Sequence, residues 1–209
     1  MPHVMDPLMV DYTDAPALLY PYVRHEPREN NTLVVLLPGR GYLNSHPLMH
    51  YNRLIALQHQ HDVLSIDYRF QQTNVDFQLK DMPTLIAESV QAIKQAAADY
   101  DEVFVVAKSL GTLIVPALVG EVANLRALML TPVGSSMADI GDTPALAIIG
   151  TADQAYVPEK ATDTATATWR VYEGLNHGLQ YAGDWVGSLR VLGEILAGCE
   201  DFLLRGNSG

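Results

Sequence analysis

Short apolar blocks rich in β-formers alternate with amphipathic blocks along most of the chain, and this alternation limits the architecture more than any other feature. "TLVVLLPG" (Thr32 to Gly39) is a valine and leucine run stopped by Pro-Gly, the pattern of a strand buried on both faces. "HPLMHYNRLIALQHQH" follows with Leu54, Ile55 and Leu57 at loose helical spacing, and "DVLSIDYR" (Asp62 to Arg69) reads as a second strand. In "MPTLIAESVQAIKQAAADY" the residues Leu85, Ile86, Val90 and Ile93 form an amphipathic stripe, and Pro83 suits the first turn of a helix. "EVFVVA" predicts a third strand, and "LGTLIVPALVGEV" a following helix kinked by Pro116. "LRALMLTPV", "PALAIIGTAD" and "ATWRVYEG" supply three more strands. A closing helix is predicted from Asp184 to Leu204, through Trp185, Leu189, Leu192, Ile195 and Leu196. Within the first 30 residues, "LLYPYV" predicts an antiparallel edge strand.

Strands that alternate with helices imply parallel neighbours, because parallel pairs need crossover connections. The expected fold class is α/β: a mostly parallel sheet of about six or more strands with helices on both faces. Residues 1–209 are long enough for one substantial core and short for two, so a single domain is expected. Ligands of such sheets bind beyond the carboxyl ends of the strands, which makes every loop after a strand a site candidate.

Charge and cysteine content narrow the function. A net charge of −11 repels phosphate backbones and anionic lipid surfaces, so neither nucleic acid nor membrane is expected as partner. The single cysteine, Cys199, cannot form an internal disulfide, and there is no metal-binding Cys cluster. No signal-peptide pattern and no membrane-length apolar run is visible, which gives the expectation of a cytoplasmic protein.

Chemistry concentrates at the exit of the third strand, in "AKSLG" (Ala107 to Gly111). Ser109 stands between a buried strand and a helix-like block, with small residues two positions away on each side. By itself this pentapeptide is also what a helix N-cap at a strand end looks like. The order of elements, together with "AKSLG", "AIIGTADQAYVP" and "YEGLNHGLQ", resembles the α/β-hydrolase superfamily in a compact form, similar in layout to small serine esterases and dienelactone-hydrolase-like enzymes. The resemblance covers the chain from about Thr32 to the end and implies a nucleophile, an acid and a histidine, in that order.

On that resemblance Ser109 is the nucleophile, in a GxSxG-type turn with Ala107 at the first position. His177, after the last strand, is the base, and Asp153, three residues past Gly150, is the acid that orients it. Asp139, Asp142 and Asp163 compete with Asp153. The oxyanion hole is expected from the N–H of Leu110 and from the N–H of Arg40, in a loop where Pro38 replaces the family's His. No cofactor and no metal is expected: His46 with His50, and His59 with His61, have ligand-like spacings but no convincing third ligand. Lys108 reads as solvated, packed away from the hydroxyl, and Arg40 and Arg69 as surface residues.

The expected activity is hydrolysis of a carboxylic ester or thioester of a small soluble substrate through an acyl-enzyme. The stretch "TPVGSSMADIGDT" is too short to form a lid domain. Two alternatives stay open: a non-catalytic ligand- or partner-binding protein on the same scaffold, and an acyltransferase with the same three residues.

Overall fold

The computed structural model describes residues 3–28 and 30–205. Four short strands come first: β1 (His3–Met5), β2 (Leu8–Tyr12), β3 (Ala15–Tyr20) and β4 (Tyr22–His25). The α/β part then runs β5 (Thr32–Leu37), α1 (Pro47–Gln58), β6 (Asp62–Ser65), α2 (Arg69–Gln72), α3 (Met82–Ala97), β7 (Glu102–Lys108), β8 (Leu125–Leu130), α4 (Ser136–Asp139), β9 (Ala145–Gly150), β10 (Ala167–Tyr172) and α5 (Trp185–Leu204). Eight strands form one sheet in the order β1-β4-β6-β5-β7-β8-β9-β10. β1 and β4 pair antiparallel, β4 meets β6 antiparallel, and the pairs from β6 to β10 are parallel.

Alternation within the strands builds two cores. Leu33, Val35, Leu37, Val103, Val105, Ala107, Ala127 and Met129 face one way, beneath α3 and the β2–β3 hairpin. Val34, Leu36, Phe104, Val106, Leu128, Leu130, Leu146 and Ile148 face the other, beneath α1 and α5. Both sets are buried, which is why these strands read as continuous apolar runs. The hairpin is fastened to α3 by polar side chains: Gln91 Nε2 donates to the Asp11 carbonyl at 2.8 Å, and Gln95 Nε2 to that of Met9 at 3.1 Å.

Two expectations are corrected. "LLYPYV" is not one edge strand: it breaks at Pro21, which has no N–H for a ladder, into β3 of a separate hairpin and β4, and the edge belongs to β1. After β7 the chain does not form a kinked α-helix but two 3₁₀ turns, Ser109–Leu113 and Val115–Leu118. Pro116 cannot donate to the Thr112 carbonyl, and Ile114 N–H bonds the Gly111 carbonyl instead, at 3.1 Å. Helices flank both faces, yet the connections around β9 carry only the single turn α4 and the 3₁₀ turn Pro158–Lys160. No helix among the described residues is long and apolar enough to cross a membrane.

Candidate active site

Ser109 follows directly on β7, at the carboxyl end of the sheet, with φ of +51°. That left-handed conformation is uncommon for a residue with a Cβ and turns the side chain out of the strand direction. The neighbours make the turn possible. A Cβ at Gly111 would lie 2.3 Å from the Leu37 carbonyl oxygen, so only glycine lets the first turn after Ser109 pack on the end of β5. Ala107 is fully buried on the α3 side of the sheet.

The structure brings Ser109, His177 and Asp153 into one hydrogen-bonded chain. His177 Nε2 lies 2.7 Å from Ser109 Oγ, and His177 Nδ1 lies 2.8 Å from Asp153 Oδ2. With the proton on Nδ1, the ring donates to the carboxylate and presents Nε2 to the hydroxyl as acceptor. The Asp153 side chain is 1% exposed and that of His177 45%, so the acid is sealed while the imidazole edge meets solvent. Asp153 is further held by the Ala155 N–H, which donates to Oδ1 at 2.9 Å.

A glycine joins the two loops that carry Asp153 and His177. A Cβ at Gly150, the last residue of β9, would stand 2.0 Å from the Leu175 carbonyl oxygen, and the Ala152 N–H donates to that same oxygen at 3.1 Å. Asn176 stiffens the histidine loop, its Oδ1 accepting from the Gly178 N–H at 2.8 Å. The competing acids are engaged elsewhere: Asp139 accepts from Ser135 Oγ, and Asp163 from the Trp169 N–H. Asp142 is exposed at the end of the α4 loop.

The loop after β5 lies beside Ser109. A Cβ on Gly39 would come within 3.5 Å of Ser109 Cβ. Three contacts fix the loop: Gly39 N–H to the Tyr42 carbonyl at 2.9 Å, Tyr68 Oη to the Pro38 carbonyl at 2.9 Å, and Gln71 Nε2 to the Gly39 carbonyl at 3.0 Å. The Leu110 N–H opens a 3₁₀ turn and has no carbonyl of that turn to bond. Sequence reasoning missed Tyr68 and Gln71, because nothing local in "DYRFQQ" ties it to a loop 30 residues earlier. The exposed Arg40 guanidinium lies 5.9 Å from the Phe77 ring centre. Phe77, Tyr68 and Phe70, together with Arg69, Asp76, Asp81 and Glu88, line a cavity of about 310 Å³ against α3, and neither Arg40 nor Ser109 lines it.

Two side chains differ from expectation. Lys108 is not solvated: it is 1% exposed, donating from Nζ to the His177 carbonyl at 2.7 Å and to Thr131 Oγ1 at 2.5 Å. Burial lowers its pKa to about 8, with the Asp153 carboxylate opposing the shift. The signal was present in the strand alternation, since Phe104 and Val106 face α1 and α5 and Lys108 is next in that series. Arg69 is not a free surface residue either, its Nε donating to Glu88 Oε1 at 2.6 Å. The paired histidines have local partners: His46 Nδ1 accepts from the Leu43 N–H, His59 Nε2 meets Glu200, and His61 Nδ1 meets Asn30. Burial, with His59 nearby, lowers the His61 pKa to about 4.

No protein-family model matches the chain, and no curated protein matches it in sequence. Solved structures do match in fold. The chain is similar to the esterase Pf2001 of Pyrococcus furiosus, with a TM-score of 0.72 at 14% identity over 96% of this chain and 91% of that one. It is similar to XC6422 of Xanthomonas campestris, described as an α/β serine hydrolase without lid, at 0.67 and 14% over 97% and 95%. An α/β serine hydrolase homologue from Coxiella burnetii matches at 0.65 and 13% over 92% and 96%. The chain therefore has the α/β-hydrolase fold.

Proposed function

We propose that the protein is a serine hydrolase that cleaves a carboxylic ester or thioester of a small soluble substrate. The observation that carries this reading is the chain Ser109–His177–Asp153, with contacts of 2.7 and 2.8 Å, held on a left-handed turn at the sheet's carboxyl edge. Ser109 Oγ attacks the carbonyl carbon while its proton passes to His177 Nε2, and Asp153 steadies the imidazolium that forms. The negative oxygen of the tetrahedral intermediate is received by the N–H groups of Leu110 and Arg40. Collapse expels the alcohol or thiol, which takes the proton from His177, and leaves Ser109 acylated. Water then attacks the acyl-serine, giving its proton to His177, and release of the acid returns the proton to Ser109.

Exposure of the His177 edge supports water, rather than a bound second acceptor, as the group that resolves the acyl-enzyme. Only residues 131–144 separate β8 from β9, with α4 as their single helical turn, which supports an open site suited to dissolved substrates. A screen of short p-nitrophenyl esters against acyl-CoA thioesters tests the reading. Turnover of at least one series by the wild type and none by Ser109→Ala is expected; equal rates for both proteins would defeat it.

A further inference from the structure

A lysine at the end of a central strand is an expensive choice. Lys108 lies on the face packed by α1 and α5, where a Met or Leu could be buried without desolvating a charge. Among the described residues its ammonium has no carboxylate in hydrogen-bond contact. Nζ donates to two neutral oxygens, the His177 carbonyl and Thr131 Oγ1, and sits 5.2 Å from the Tyr42 ring centre. Thr131 itself holds φ of +48°, a region β-branched residues rarely enter, directly after β8. A local strain of this kind persists only where the surroundings fix it. Lys108 thus joins three parts: the end of β7 directly before Ser109, the end of β8, and the backbone of the histidine itself.

We propose that Lys108 is a positioning residue, whose Nζ locks the His177 backbone to the end of β7 directly before Ser109, so that base and nucleophile keep one separation. The proposal rests on the reading of His177 as base. Without this link, the 174–183 loop is still anchored by the Gly174 N–H on Thr151 Oγ1 at 2.8 Å, the Ala152 N–H on the Leu175 carbonyl at 3.1 Å, the Tyr181 N–H on Ser188 Oγ at 2.9 Å and the buried Leu175 and Leu179, while the Lys108 bond is the one that reaches the His177 carbonyl itself. The ring's own contacts cannot both guide it and be guided by it. A bond to the main-chain carbonyl fixes the residue from behind, independently of the proton that moves between Nε2 and Oγ. The unprotonated amine still has two N–H groups for the same two oxygens, so the tie survives the loss of charge that burial favours.

The test compares the wild type with Lys108→Met and Lys108→Gln. For Lys108→Met a fall in kcat of about 10- to 100-fold is expected, with KM within about twofold, because substrate contacts stay intact. Lys108→Gln, which keeps an N–H near the end of the chain, is expected to regain part of that loss. The low-field proton resonance of the His177 Nδ1–H is expected to shift or broaden in Lys108→Met. Wild-type kcat in Lys108→Met, or a reduced kcat with an unchanged Nδ1–H resonance, would overturn the proposal. If Lys108→Met fails to fold, Lys108→Gln, whose shorter side chain cannot reach both oxygens at once, carries the comparison: a reduced kcat with a shifted Nδ1–H resonance is expected, and wild-type values of both would overturn the proposal. A wild-type protein that turns over no ester would contradict the proposed function, and the Nδ1–H comparison would still decide the role of Lys108.

Discussion

Ser109 combines a reactive position with a conformational cost. A left-handed φ in a residue with a Cβ costs about 1–2 kcal/mol, which the packing of Gly111 on Leu37 and of Gly39 on Ser109 offsets. On the proposed reading Asp153 acts through the tautomer of His177, so Asp153→Asn should fold normally yet lose activity by about 10⁴-fold. A loss under tenfold in steady-state kcat would remove Asp153 from that role. Lys108 belongs to the same scale and gives a stability signature. Its pKa is about 8 in the folded chain against an ordinary 10.5, so between those values the unfolded chain holds a proton that the folded chain has released. Stability from this group therefore rises as pH climbs from about 8 to 10.5, by on the order of 3 kcal/mol. Urea unfolding of the wild type and of Lys108→Met across that range should show the rise in the first and a flatter course in the second. Parallel curves would contradict the burial argument.

At the level of elements, the parallel strands were legible because burial on both faces leaves uninterrupted β-branched and leucine runs such as "TLVVLL" and "EVFVVA". The candidate Ser, Asp and His were legible from the resemblance together with their places at the exits of β7, β9 and β10. What escaped was set by contacts far apart in sequence. The break at Pro21 depends on β4 finding β6, and the hold of Tyr68 and Gln71 on the loop after β5 depends on the crossover through α1. Lys108 escaped because the strand was ended one residue early, at Ala107. The Gly150 contact gives a prediction of its own. A Cβ there must displace the Leu175 carbonyl, and with it the loop that brings His177 to Ser109. Gly150→Ala should cut kcat at least tenfold while the melting temperature falls by only a few degrees. Unchanged kcat would show that the histidine loop does not depend on that close approach.

The whole molecule sets which substrates arrive. With a net charge of −11, cationic or neutral esters should be favoured over anionic ones of the same size at low ionic strength. The preference in kcat/KM should shrink as salt shortens the screening length from about 10 Å at 0.1 M to about 3 Å at 1 M. A ratio independent of salt would mean that contacts within the site, not the overall field, set the preference. The two faces of the sheet differ in what they pack: α1, α5 and the core beneath them lie under Lys108 and the histidine loop, while α3 and the core beneath it lie on the other face. The candidate residues meet where both faces end, at the carboxyl edge of β5, β7, β9 and β10. The most direct measurement is treatment of the folded protein with a fluorophosphonate, followed by peptide mass spectrometry. The account predicts one adduct, on Ser109, abolished in His177→Ala; an unlabelled Ser109, or labelling that survives loss of His177 undiminished, would contradict it.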